Sequence, residues 1–110
     1  MPYGLKPDTI AKINGIMAAH PEIEQAILYG SRAKGNYREG SDIDLCLVGE
    51  TLTLTQLLKI ENELDDLLLP YKIDLSLFHA LDSTTLVEHV HRVGVVFYEK
   101  RRGTDCAFSN

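Results

Sequence analysis

No run of apolar residues in this chain is long enough to span a bilayer, and residues 1–6 lack the apolar stretch of a secretion signal. Both absences point away from the membrane and toward the cytoplasm. Cysteine is scarce: Cys46 lies inside an apolar run and Cys106 near the end, which suits a reducing compartment better than a disulfide framework. Positive charge is also in short supply, with 11 Lys and Arg against 16 Asp and Glu, a net charge of −5. Gripping nucleic acid needs Lys and Arg to neutralise phosphates, so direct binding of nucleic acid is not expected. At 110 residues the chain is one domain, with enough material for a core but little to wall in a pocket. It has no repeats and no linker.

What is present alternates between helical and extended patterns. Asp8 is placed to cap a helix carrying Ile10, Ile13, Ile16 and Met17 at helical spacing, with Pro21 ending the segment. Residues 24–29 read as a strand entering a Gly30-Ser31 turn, a short helical turn over 31–34, and a Gly/Asn/Ser-rich loop over 35–41. Residues 42–48 read as a second strand. The clearest helix is 53–69, where Leu54, Leu57, Leu58, Leu64, Leu67 and Leu68 keep a stripe expected to be core until Pro70 stops it. A third strand follows at 72–78, a helix over 83–92 carrying Leu86, Val87 and Val90, a stop at Gly94, and a fourth strand at 95–98. Residues 1–100 are thus expected to form the domain, and 101–110, without periodicity, a flexible tail. The fold class implied is mixed α+β: a small sheet of about four strands packed against helices.

Two strands carry more than fold information. Side chains alternate along a strand, so Asp42, Asp44, Cys46 and Val48 share one face while Ile43, Leu45 and Leu47 share the other. In 72–78, Lys72, Asp74, Ser76 and Phe78 oppose Ile73, Leu75 and Leu77. If the two strands are neighbours in register, Asp74 joins Asp42 and Asp44. Three ionised carboxylates within ~5 Å repel by a few kcal/mol per pair at an effective dielectric near ~20. A structural domain gains nothing from such a cluster, whereas a divalent cation removes the penalty. Oxygen ligands without His or Cys favour Mg²⁺ or Mn²⁺ over Zn²⁺.

The turn before them supplies a second half. Gly30 lets backbone approach a phosphate, Ser31 offers a hydroxyl, the first N–H groups of the short helix point at an anion, and Arg32 and Lys34 add positive charge. Taken singly, a Gly-Ser is most often a turn, and an Asp-x-Asp a solvated pair. Their conjunction, ten residues apart and followed by a third Asp in another strand, points to a metal–nucleotide site. The histidines carry less. His89 and His91, two apart on a helix, face different directions, and His20 and His79 sit at element ends where surface roles are expected. Tyr29 reads as core, and an acyl-transfer role for Ser31 lacks a nearby His.

Gly30-Ser31, ten residues, Asp42-Ile43-Asp44, and Asp74 in a later strand closely resemble the DNA polymerase β-type nucleotidyltransferase superfamily. The fuller string Gly-Ser-Arg-Ala-Lys-Gly…Gly-Ser-Asp-Ile-Asp-Leu in so short a chain looks like its minimal nucleotidyltransferase branch, with the resemblance covering 8 to about 99. Members of that branch are typically antitoxins paired with a helical HEPN-domain ribonuclease toxin. The resemblance implies a nucleotidyltransferase fold and a transfer of AMP from ATP to a tyrosine hydroxyl of that toxin. It implies two metal ions, Mg²⁺ or Mn²⁺, held by Asp42 and Asp44, with Asp74 binding the catalytic metal and helping to deprotonate the acceptor. Gly30 and Ser31 match the turn that holds the triphosphate, and Arg32 is implied as a further phosphate ligand. The helical domain that walls the pocket in larger members has no counterpart in residues 1–110. A non-catalytic antitoxin that acts by occupying its toxin, and an aminoglycoside-type small-molecule transferase completed by a helical subunit, are the alternatives. Oligomeric state stays open.

Overall fold

A computed structural model describes residues 2–38 and 40–100. The segment expected to be a flexible tail, 101–110, lies outside the described residues. The elements run α1 (Pro7–Ala18), β1 (Gln25–Tyr29), α2 (Ser31–Lys34), β2 (Ile43–Val48), α3 (Leu54–Asp65), β3 (Ile73–Leu77), α4 (Thr84–Val93) and β4 (Val95–Glu99). The strands form one mixed sheet in the order β3-β2-β1-β4, with β1 antiparallel to both β2 and β4, and β2 parallel to β3. This is the mixed α+β architecture that the alternating pattern predicts.

The sheet has two unlike faces. One carries Ala26 and Leu28 of β1, Ile43, Leu45 and Leu47 of β2, Leu75 and Leu77 of β3, and Phe97 of β4, all buried. Helices α1 and α3 close over this face, burying Ile13, Met17, Leu57, Ile60 and Leu64 against it. The antiparallel hairpin of β1 and β2 and the parallel β3 are paired because each offers the same alternation, so one register buries every aliphatic side chain at once. On the other face lie Ile27, Tyr29, Asp44, Cys46, Asp74 and Ser76, and α4 covers part of it across β1. Gly94 caps α4 where a Cβ would strike the Val90 carbonyl and the side chain of Ile27, so the helix leaves toward β4 at contact distance.

Several boundaries differ from the sequence expectation. Helix α1 starts at Pro7, whose fixed φ and missing N–H suit the first helical position, and Asp8 sits inside the first turn paired with Lys12 at 3.2 Å. Helix α3 ends at Asp65 rather than at Pro70. Its start is firm: Thr53 and Gln56 form a reciprocal capping box. Its end gives way to turns in which Leu68 adopts a left-handed backbone (φ 54°). The leucine stripe is correspondingly only half core. Leu57, Ile60 and Leu64 are buried, whereas Leu54, Leu58 and Leu68 are 65%, 53% and 88% exposed. His20 is likewise no surface residue, being buried with Nε2 2.7 Å from Glu63 Oε1, which ties the end of α1 to α3. No helix among the described residues is long and apolar enough to cross a membrane.

Candidate functional site

Strand β1 ends at Tyr29, and the chain must turn at once to enter α2. Gly30 makes that turn with φ 79° and ψ −158°, a conformation open only to glycine. A Cβ at Gly30 would overlap Oδ2 of Asp44, because Asp44 is the neighbour of Tyr29 across the β1–β2 ladder. The turn and the acidic strand are therefore in contact. Ser31 opens α2, and its carbonyl accepts from Gly35 N and Asn36 N at 2.9 and 3.2 Å. Lys34 is exposed at the end of α2.

Asp44 and Asp74 are directly paired on the parallel strands β2 and β3, a register that keeps the alternation of both strands. Asp44 is half-buried, Asp74 exposed, and Asp42 exposed just before β2. Burial, then the charges of Asp74 and Asp42, push the Asp44 carboxyl above the ordinary carboxylate range, while His89 pulls it back down. Asp44 thus feels both other acids.

Whether these residues fit a metal ion is a question of donor chemistry. Three aspartates supply hard oxygen donors of the kind Mg²⁺ and Mn²⁺ take, and a cation would offset the burial and repulsion that disfavour the Asp44 charge. Among the described residues, no three His, Cys, Asp or Glu side chains already converge into a ready-made metal nest. The fit is of the Mg²⁺ type, in which protein carboxylates share the ion with water and substrate phosphates rather than enclosing it.

Two neighbours escape sequence reasoning. Tyr29, expected in the core, stands half-buried on the acidic face with its hydroxyl 3.5 Å from Ser76 Oγ. Burial and the nearby charges of Asp44, Cys46 and Asp74 raise its pKa, partly offset by Ser76. Burial also pushes the Cys46 thiol up, again tempered by Ser76. His89 stacks edge-on against Tyr29 with centroids 6.1 Å apart, while His91 does the same to Phe78 at 5.6 Å. The two histidines do face different partners. The signal for His89 was available: Leu86, His89, Val90 and Val93 form a helical stripe.

Arg32 stands elsewhere than expected. Instead of reaching out beside the acids, its side chain is 3% exposed and donates to the Tyr3 and Ser41 carbonyls.

Over residues 11–103 the sequence matches the family Polymerase beta, Nucleotidyltransferase. The chain belongs to this family. As a nucleotidyltransferase it shares its fold with several solved structures. A toxin–antitoxin structure with AMP-PNP aligns at 23% identity and a TM-score of 0.66, covering 88% of this chain and 76% of that one. A complex of tri-AMPylated Shewanella oneidensis HEPN toxin with MNT antitoxin aligns at 20% identity and 0.65, covering 87% and 74%. A putative nucleotidyltransferase from Sulfolobus solfataricus aligns at 19% and 0.50, covering 91% and 95%. No curated protein matches the nucleotidyltransferase.

Proposed function

We propose that this nucleotidyltransferase is a minimal-type antitoxin that moves AMP from ATP onto a tyrosine hydroxyl of a helical HEPN-type toxin. The observation that carries the reading is the in-register pairing of Asp44 with Asp74, beside a turn where only glycine fits. The likeness to the antitoxin complexes, one holding AMP-PNP and one an AMPylated HEPN toxin, supports the choice of nucleotide and acceptor.

In this reading the Gly30-Ser31 turn takes the triphosphate: the backbone approaches closely at Gly30, and the Ser31 hydroxyl and the first N–H groups of α2 donate to phosphate oxygens. Lys34, exposed at the end of α2, adds charge at the rim. Asp42, Asp44 and Asp74 hold Mg²⁺ or Mn²⁺. The ions, when bound, neutralise charge on the triphosphate and on the departing pyrophosphate. The acceptor oxygen forms a bond to the α-phosphorus as the bond to the bridging oxygen of the β-phosphate breaks. Pyrophosphate leaves with that electron pair, and Asp74, the most exposed of the paired acids, takes the phenolic proton. Among the described residues α4 covers only part of the acidic face, and a basic partner that presents the tyrosine also orients it. We place this chemistry in the cytoplasm.

The test is to incubate the protein with its toxin, ATP and Mg²⁺ and to weigh the toxin intact. An adenylyl increment that disappears in the Asp42→Ala, Asp44→Ala double variant supports the reading. Full neutralisation of the toxin at unaltered mass would replace it with inhibition by binding alone.

A further inference from the structure

Arg32 presents a chemical puzzle: its guanidinium, beside a phosphate-type turn, is buried and donates to backbone carbonyls. Nε and Nη2 both donate to the Ser41 carbonyl, at 3.1 and 2.9 Å, and Nη1 donates to the Tyr3 carbonyl at 2.8 Å. Two aromatic rings also lie under it, with the guanidinium carbon 5.2 Å from the Tyr37 ring centroid and 4.9 Å from that of Tyr71. Three separate stretches of chain therefore meet on this one side chain of α2: the N-terminal turn, the loop after α2, and the approach to β3.

The loop is what needs the help. Residues 35–41 contain two glycines, Asn36 and Arg38 are exposed, and Tyr37 is half-buried. Ser41 closes it locally, its hydroxyl accepting from Arg38 N at 2.8 Å and its N–H donating to Arg38 O at 3.0 Å. Ser41 is also the residue before Asp42. Strain on the opposite side points the same way. Tyr3 adopts a left-handed backbone (φ 58°), rare for a ring-bearing residue, and it is the Tyr3 carbonyl that Arg32 takes. A Cβ on the following Gly4 (φ 71°) would overlap the Tyr37 ring and lie 3.0 Å from Arg32 Nη1.

We propose that Arg32 is a positioning residue: it clamps the Ser41 carbonyl, and with it Asp42 at the mouth of β2, to the N-terminal turn and to the helix that carries Ser31. The proposal rests on the reading of Asp42 and Ser31 as parts of the nucleotidyl-transfer site. It divides the basic pair of the motif, with Lys34 left to face solvent and Arg32 turned inward to hold the loop. The clamp depends on a planar fork and two stackable faces, which lysine lacks; a phosphate contact would survive as a point charge.

The full-length protein with Arg32→Lys distinguishes the two. Tryptic cleavage after Arg38 reports the loop, thermal melting reports the fold, and ATP affinity and kcat on the toxin report the site. For a clamp, loop cleavage speeds up about tenfold at an unchanged melting cooperativity. Turnover drops about 100-fold, the cost of a misplaced catalytic group, with ATP affinity within about threefold of wild type. Gly4→Ala, which touches no phosphate, reproduces the same pattern and serves if the Arg32 variant fails to fold. Wild-type loop cleavage in Arg32→Lys, or a loss confined to ATP affinity, overturns the clamp. If the wild-type protein neither binds ATP nor modifies the toxin, the functional reading fails on its own, and the cleavage comparison still judges Arg32.

Discussion

The α-carbon of Gly30 lies directly against the carboxylate of Asp44, so close that any side chain at Gly30 would occupy the place of Oδ2. A turn at the end of one strand and an acid near the start of the next thereby come into contact. The ten residues between Ser31 and Asp42 are the rest of α2 and its return loop, and the β1–β2 ladder brings the ends together.

Gly30→Ala is accordingly expected to fail twice. The backbone at φ 79° is strained for alanine by about 1–3 kcal/mol, and the methyl displaces Asp44. A melting curve should show the destabilisation, and AMP transfer should fall further than the fraction unfolded accounts for.

The Asp44 carboxyl binds its proton more tightly in the folded protein than in the unfolded chain, because burial and Asp74 disfavour its charge. Its stabilising contribution is complete below the ordinary carboxylate pKa and is lost as pH rises through the raised folded value. Without metal, Asp44→Asn should therefore be more stable than wild type at neutral pH. Solvent screening keeps the gain to about 1 kcal/mol or less. The difference should vanish in strong acid. Added Mg²⁺ should raise the melting temperature of the wild type and not of the variant.

Asp74→Asn keeps size and register while removing the charge and the proton acceptor. AMP transfer should drop by about 100-fold or more, read by intact mass of the toxin, with little change in melting temperature, since Asp74 is exposed.

The leucines of α3 should separate by burial rather than by spacing. Leu57→Ala removes a buried side chain and should cost about 2–5 kcal/mol. Leu54→Ala, at an exposed position, should stay within about 0.5 kcal/mol. Urea denaturation of the two variants measures both.

How far the sequence reached follows from which interactions are local. Alternation in residues 43–47 and 73–77 dictates which side chains face the helices and puts Asp44 and Asp74 on the same opposite face, while their direct pairing is a register that the folded sheet selects. The Gly-Ser turn and the Asp-x-Asp were legible for the same reason: their spacing along the chain carries their geometry. The end of α3 was not, because the leucine period continues past the point where the packing stops, and Leu68 turns out to solvent.

The amino-acid sequence by itself determined the mixed sheet, the family and the acidic face, since each rests on periodicity or on spacing within one short segment. Only the tertiary structure decided the fate of Arg32, whose partners Tyr3, Tyr37, Ser41 and Tyr71 come from distant stretches. It also decided the place of His89 above Tyr29 and the burial of His20 against Glu63. A charged or aromatic side chain takes its role from what surrounds it in space, and that environment exists only once the elements have packed.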